Sequence, residues 1–194
     1  MTLVYSSSDK QTSADSICQQ LNINPKDLAS AEQIHGNGII VITAEDRGKK
    51  VPQVDALITK EKNLPIMIRT ADCAPILIHD TKREILALVH AGRKGTALKI
   101  THKIITKLKD EFSSDPKDLT VKIGPCIDKC CYPMDLRREN KEQLLKAGVP
   151  EENIKINKEC TKCNNHKYFS YRGDGPHTGR MFLIAAMIDG PVHA

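Results

Sequence analysis

Residues 74–91 read APILIHDTKREILALVHA: two apolar, β-rich runs, 75–79 and 84–90, joined by the polar segment HDTKRE. Runs of this length with turn-compatible residues between them make an antiparallel hairpin. With the turn centred between Thr81 and Lys82, Ile78 faces Ile85, Ile76 faces Ala87 and Cys73 faces His90. Directly opposed residues share a face, with Cβ atoms about 4.5–5.5 Å apart. That separation suits a shared metal ion, with Zn–S near about 2.3 Å and Zn–N near about 2.0 Å. A slip of one residue would spoil the pairing. Pro75 cannot donate to the ladder, so the strand loosens near Cys73 and that end opens into a pocket.

The remaining pattern sets the class. A short helix is expected over 12–21 with Ser13 as its cap, and strands over 39–42, 56–59 and 64–69. From Gly95 onward Ala97, Ile100, Ile104, Leu108 and Phe112 recur at helical spacing, with lysines on the other face. A strand at 121–123, a polar helix over 137–147 stopped by Gly148, and a strand at 154–156 follow. Residues 180–188 read as a final buried helix closed by Asp189-Gly190-Pro191. Strands and helices mix without strict βαβ alternation, which argues for a layered α/β domain with a mixed sheet. At 194 residues the chain is expected to form a single domain, 1–194.

Composition narrows the partners. The apolar runs are too short to cross a bilayer. The opening MTLVYSSSDK lacks the apolar centre of a signal peptide, so the cytoplasm is the expected compartment. Seven cysteines, an odd number without a secretory signal, read as thiols, metal ligands or nucleophiles rather than a disulfide framework. The net charge of +5 is spread along lysine-bearing helices, and three Phe, four Tyr and no Trp leave little to stack on bases. Neither nucleic acid nor membrane is expected, whereas a small anion such as phosphate suits the excess charge.

A buried cysteine or a strand-end histidine is ordinarily a packing residue. Here Arg69, Thr70 and Asp72 surround the cysteine and the glycine-rich AGRKG follows His90. Chains seldom place Arg and Asp beside a buried cysteine for packing alone. His35 in EQIHGNG is the natural third ligand. Three protein ligands leave a fourth position for water or substrate, the signature of catalytic zinc. Without a metal, Cys73 with His90 is a thiolate–imidazolium pair for nucleophilic catalysis, and the spacing does not separate the two readings.

Five motifs in order, QIHG (33–36), RTADCAPIL (69–77), VHAGRKGT (89–96), IGPCIDKCCY (123–132) and YFSYRGDGPHTGRM (168–181), resemble the YfiH-type family, also labelled multicopper polyphenol oxidase or laccase-domain proteins. The resemblance implies a three-layer α/β/α domain and a zinc held by His35, Cys73 and His90. It further implies phosphorolysis of adenosine, inosine, guanosine and methylthioadenosine, with adenosine deamination at the same site. Bacterial relatives are also linked to editing of peptidoglycan precursors. Gln33, Lys94 and Arg172 become candidates for substrate binding, and Arg69 and Asp72 for catalysis.

Read as chemistry, the backbone N–H groups of AGRKG with Lys94 would hold an anion at a helix start. Arg69 and Arg172 are further candidates for that charge, an ordinary salt bridge being the alternative for each. Asp72 would orient a metal ligand or take a proton from substrate. Three departures stand out. HAGRKG replaces the family's HAGWRG, the segment before QIHG is shorter than usual, and CTKCNNH (160–166) adds a CxxC and a histidine. With Cys126, Cys130 or Cys131 that CxxC would form a structural zinc site, the alternative being buried thiols. Other readings are a cysteine hydrolase or amidase using Cys73 and His90, copper-dependent phenol oxidation, and a metal-binding scaffold without activity. Copper fits less well than zinc, because a multicopper site needs paired histidines and most of these seven stand singly (His79, His102, His166, His177, His193).

Overall fold

The apolar runs are strands buried on both faces. In the structure, a computed structural model that describes residues 1–189, the strands form two mixed sheets. The first sheet has the order β1 (Thr2–Ser7), β11 (Met181–Ile188), β6 (Ile66–Thr70), β2 (Ala29–Ala31), β4 (Lys50–Val51). The second has the order β10 (Ile154–Ile156), β9 (Leu119–Ile123), β7 (Ala74–Asp80), β8 (Ile85–Ala91), β5 (Ala56–Thr59), β3 (Ile39–Val41). The helices are α1 (Ala14–Gln20), capped by the Ser13 side chain, α2 (Arg93–Ala97), α3 (Ile100–Phe112), α4 (Leu136–Lys146) and α5 (Tyr171–Asp174). None of the described helices is long and apolar enough to cross a membrane.

Period-two alternation sends successive side chains of one strand into different cores. On β8, Leu86 and Leu88 enter the layer between the sheets and join Leu57, Ile66, Ile68 and Leu183. Ile85, Ala87 and Val89 face the other way and share a core with Ile100, Ile104 and Leu108 of α3 and Leu144 of α4. Beyond the first sheet, Ile17 and Cys18 of α1 cover Ile184. The α/β class with mixed pairing therefore holds, and the sheet layer of the expected α/β/α arrangement is itself double.

Three expectations need correction. The run 180–188 is strand β11, not a helix, and it lies between β1 and β6. With both faces covered, MFLIAAMI has no polar side, and apolar periodicity then cannot separate strand from helix. Gly190 and Pro191 of the expected closing turn lie outside the described residues. The helix expected from Gly95 begins at Arg93 and breaks at Lys99, whose φ of 60° separates α2 from α3. The hairpin forms, but in the register Pro75↔His90 and Ile78↔Ala87. Its loop is set by Asp80, whose Oδ1 accepts from the Lys82 and Arg83 N–H groups at 2.9 Å each, with Glu84 at φ 53°. Cys73 is thus not opposite His90. The shift is an even one, so both residues keep the same face.

The chain passes from the first sheet to the second through three links, between β2 and β3, β4 and β5, and β6 and β7. These links are where the chemistry lies.

Candidate active site

The three links carry His35, Asp55 and Cys73, and β8 delivers His90 just before its end. The ligand atoms of His35, Cys73 and His90 all lie within 4.8 Å of one another. The two imidazoles meet edge to face, with ring centroids 4.9 Å apart and planes at 84°. Asp55, completely buried, organises the group. Its Oδ1 accepts from His90 Nδ1 at 2.8 Å and from the His35 backbone N–H at 2.9 Å, while Oδ2 accepts from the Gly36 N–H at 2.7 Å. With Nδ1–H given to the carboxylate, Nε2 of His90 is the atom left able to hold a metal ion.

Charge follows from this packing. Burial alone would raise the Cys73 thiol, but hydrogen bonds from His35 and His90 outweigh it and bring the thiol down to about 7. Burial would lower His90, yet its bonds to Asp55 and Cys73 push it up to about 9. Burial also opposes ionisation of Asp55, and the bonds from His90 and Gly36 hold its carboxyl below the usual range all the same. A thiolate and two imidazoles, one of them backed by a carboxylate, form a donor set that fits a tetrahedral divalent ion with one position open.

The backbone is strained to make this set converge. Gln33, His35 and Asp72 have φ of 65°, 59° and 86°, in the left-handed region that costs a non-glycine residue about 1–3 kcal/mol. Gly92 meets the group from below. A Cβ there would lie 2.9 Å from Cys73 Sγ and 3.3 Å from His35 Cδ2. Gly92→Ala is accordingly expected to weaken metal binding about tenfold by displacing two ligands together, as read by competition with a chromogenic chelator. Unchanged affinity would show that the ligands can retreat without cost.

The group floors a cleft of about 680 Å³, within the roughly 300–1,000 Å³ usual for small-molecule sites. Arg69, Arg93, Lys94, Arg172 and Arg180 line it, with Tyr132 and Tyr171 offering aromatic faces. The Arg172 guanidinium lies over the Tyr132 ring, 5.1 Å from its centroid. Among the described residues, Arg69, Lys94 and Arg172 pair with no carboxylate, so the salt-bridge alternative is not what the structure shows for them. The helix start contributes less than its side chains do. α2 has only five residues, and Gly95 packs against Gly36, where a Cβ would stand 2.6 Å from the carbonyl oxygen.

Two candidate residues, Gln33 and Asp72, line the cleft and make positioning bonds there. Gln33 gives both ends of its amide to the Arg69 main chain, Nε2 donating to O at 2.6 Å and Oε1 accepting from N–H at 2.9 Å. Asp72 accepts from the Thr161 hydroxyl at 2.6 Å and from the Arg172 N–H at 2.7 Å. It ties the 161–172 segment to the cleft rather than touching a ligand atom. The sequence pattern does not single out Asp55, Tyr132, Tyr171 or Arg180. For Asp55 the signal is VDALIT, an acid at the start of an apolar strand, where a buried charge demands a partner.

Fold and site together define a mixed α/β protein that gathers a histidine–cysteine–histidine group able to hold a metal ion where the chain crosses between its two sheets. The chain belongs to the family described as multi-copper polyphenol oxidoreductase laccase, whose model matches residues 7–135 and 132–188. The laccase-domain resemblance of the five motifs is thereby shown. The chain is 36% identical over 183 residues to purine nucleoside phosphorylase CA_C1699 of Clostridium acetobutylicum, covering 82% of this chain and 76% of that one. It is 27% identical over 203 residues to adenosine deaminase RL5 from an unknown prokaryotic organism, covering 86% and 77%. The crystal structure of YlmD from Geobacillus stearothermophilus superposes with a TM-score of 0.86 at 30% identity, covering 89% of this chain and 78% of that one.

Proposed function

We propose that this chain is a zinc-dependent purine nucleoside phosphorylase acting on adenosine, inosine, guanosine and methylthioadenosine. Phosphate oxygen bonds to C1′ of the nucleoside as the glycosidic C–N bond breaks, giving the sugar 1-phosphate and the free purine. The observation that carries the reading is the convergence of His35, Cys73 and His90 in a cleft lined by arginines and a lysine that pair with no carboxylate among the described residues. Similarity to a protein named purine nucleoside phosphorylase supports it.

His35, Cys73 and His90 would hold the ion, which when bound supplies a Lewis acid in the cleft. The chain's own residues do the rest. Arg93 and Lys94, exposed at the start of α2, and Arg69 and Arg172 across the cleft neutralise the phosphate. Lys94 acts as a point charge, whereas each arginine can grip two oxygens. Tyr132 and Tyr171 offer flat faces to the purine. Gln33 and Asp72 keep Arg69 and the Arg172 backbone in place. Adenosine deamination in the same cleft is the second reading, favoured by the similarity to a protein named adenosine deaminase.

Purified protein with inosine is expected to release hypoxanthine only when phosphate is present, and to lose that activity after chelation. Lys94→Ala is expected to raise the KM for phosphate about tenfold, the worth of one charge-assisted hydrogen bond, with a smaller change in kcat. Hypoxanthine release that ignores phosphate would sink the phosphorylase reading. Ammonia release from adenosine without phosphate would support the second.

A further inference from the structure

A second group of thiols lies apart from the ligands already described. The strand-like loop after β9 carries Cys126, Cys130 and Cys131, and the loop after β10 carries Cys160 and Cys163. A parallel bridge pairs Cys126 with Cys160 and holds the two loops side by side. Cys126 then turns into the core beside α3 and α4, while the sulfurs of Cys130, Cys131, Cys160 and Cys163 all come within 4.8 Å of one another. Sγ of Cys163 is 3.4 Å from that of Cys130 and 3.5 Å from that of Cys131, and Cys130 and Cys131 are 3.7 Å apart.

We infer that Cys130, Cys131, Cys160 and Cys163 form a second metal site, a closed tetrathiolate centre for a single zinc ion. The spacing suits it. A tetrahedron with Zn–S bonds of about 2.3 Å has edges of about 3.8 Å, close to the separations observed. Four sulfurs so close together leave no room for a polynuclear iron–sulfur cluster between them. The surroundings also resemble those of bound thiolates. The Asp128 N–H donates to Cys160 Sγ at 3.4 Å. Such a bond favours the ionised sulfur that a metal needs.

The loops are pinned independently of the thiols. Arg137 donates through Nη1 to Asp128 Oδ2 at 2.9 Å and to the Lys158 carbonyl at 3.1 Å, and through Nη2 to the Glu159 carbonyl at 3.0 Å. The thiols are therefore brought together by a clamp that owes nothing to a disulfide. His166 is exposed and outside the group, so the ligands are four sulfurs and not the CxxC-with-histidine set. The centre would fasten the roof of the cleft. Ile127 and Tyr132 on one loop line that cleft, and Thr161 on the other bonds Asp72. Binding removes the thiol protons, so loading rises with pH.

Metal analysis of the purified full chain is the test. Two zinc ions per chain are expected, falling to one in Cys73→Ser and to one in the double variant Cys130→Ser/Cys163→Ser, both of whose sites are exposed. Cobalt(II) titrated into metal-stripped Cys73→Ser should give the intense near-ultraviolet charge-transfer band of several thiolates on one ion. That measurement stands even where the double variant fails to fold. A single zinc that disappears with Cys73, a cobalt spectrum without thiolate bands, or fewer than seven titratable thiols in denatured, unreduced protein would each overturn the second centre. A single zinc kept in Cys73→Ser but lost in the double variant would uphold it and remove the zinc assigned to the cleft.

Discussion

Cys73→Ser is expected to lower kcat/KM for phosphorolysis by about three orders of magnitude, since the ion contributes several kcal/mol and each 1.36 kcal/mol is about tenfold. A neutral hydroxyl is a poor replacement for the one anionic ligand between His35 and His90. The residue sits only half buried on a link, so the variant should still fold, with its thermal unfolding temperature lowered by no more than the bound ion contributed. Activity and zinc content measured on the same preparation check this, and a variant retaining both would dismiss the ligand role. The outcome also separates the competing chemistry. If Cys73 were a nucleophile, chelated wild-type protein would keep its activity and only the variant would lose it.

Asp55→Asn should be the next most damaging change, weakening metal binding about 100-fold, the upper end for a residue that orients a ligand. The carboxylate accepts from three donors, His90 Nδ1 and the His35 and Gly36 N–H groups. An amide offers one oxygen, so at this completely buried position its NH₂ must face one of those donors. His90 also loses the anion that holds it in the raised range near 9. The check is zinc affinity beside activity at saturating zinc. A drop in activity fully rescued by excess zinc would confine Asp55 to holding the ligands. No change in either would mean the carboxylate is dispensable.

Much of this is readable in the residues themselves. Cys73 and His90 stand out because polar neighbours interrupt an apolar hairpin, and an even error in the hairpin register leaves both on one face. The turn could not be centred from HDTKRE alone, since what fixes it is a side chain bonding its own backbone at Asp80. β11 is opaque for a different reason. A strand covered by a sheet core on one side and α1 on the other has no polar alternation to betray it. Asp55 is hidden because its partners, His35 and His90, are 20 and 35 residues away. Gln33 and Asp72 are visible as site residues, but their employment in aligning Arg69 and Arg172 depends on loops that only the folded chain brings together.

The placement of β11 between β1 and β6 also sets an order in time. Thr2–Ser7 pairs with Met181–Ile188, and Arg69 in the cleft is paired with Phe182. A chain emerging residue by residue therefore closes the first sheet only after β11 has been made. Arg69 waits with it, so the β7–β8 hairpin can form early while the wall of the cleft that carries Arg69 sets later.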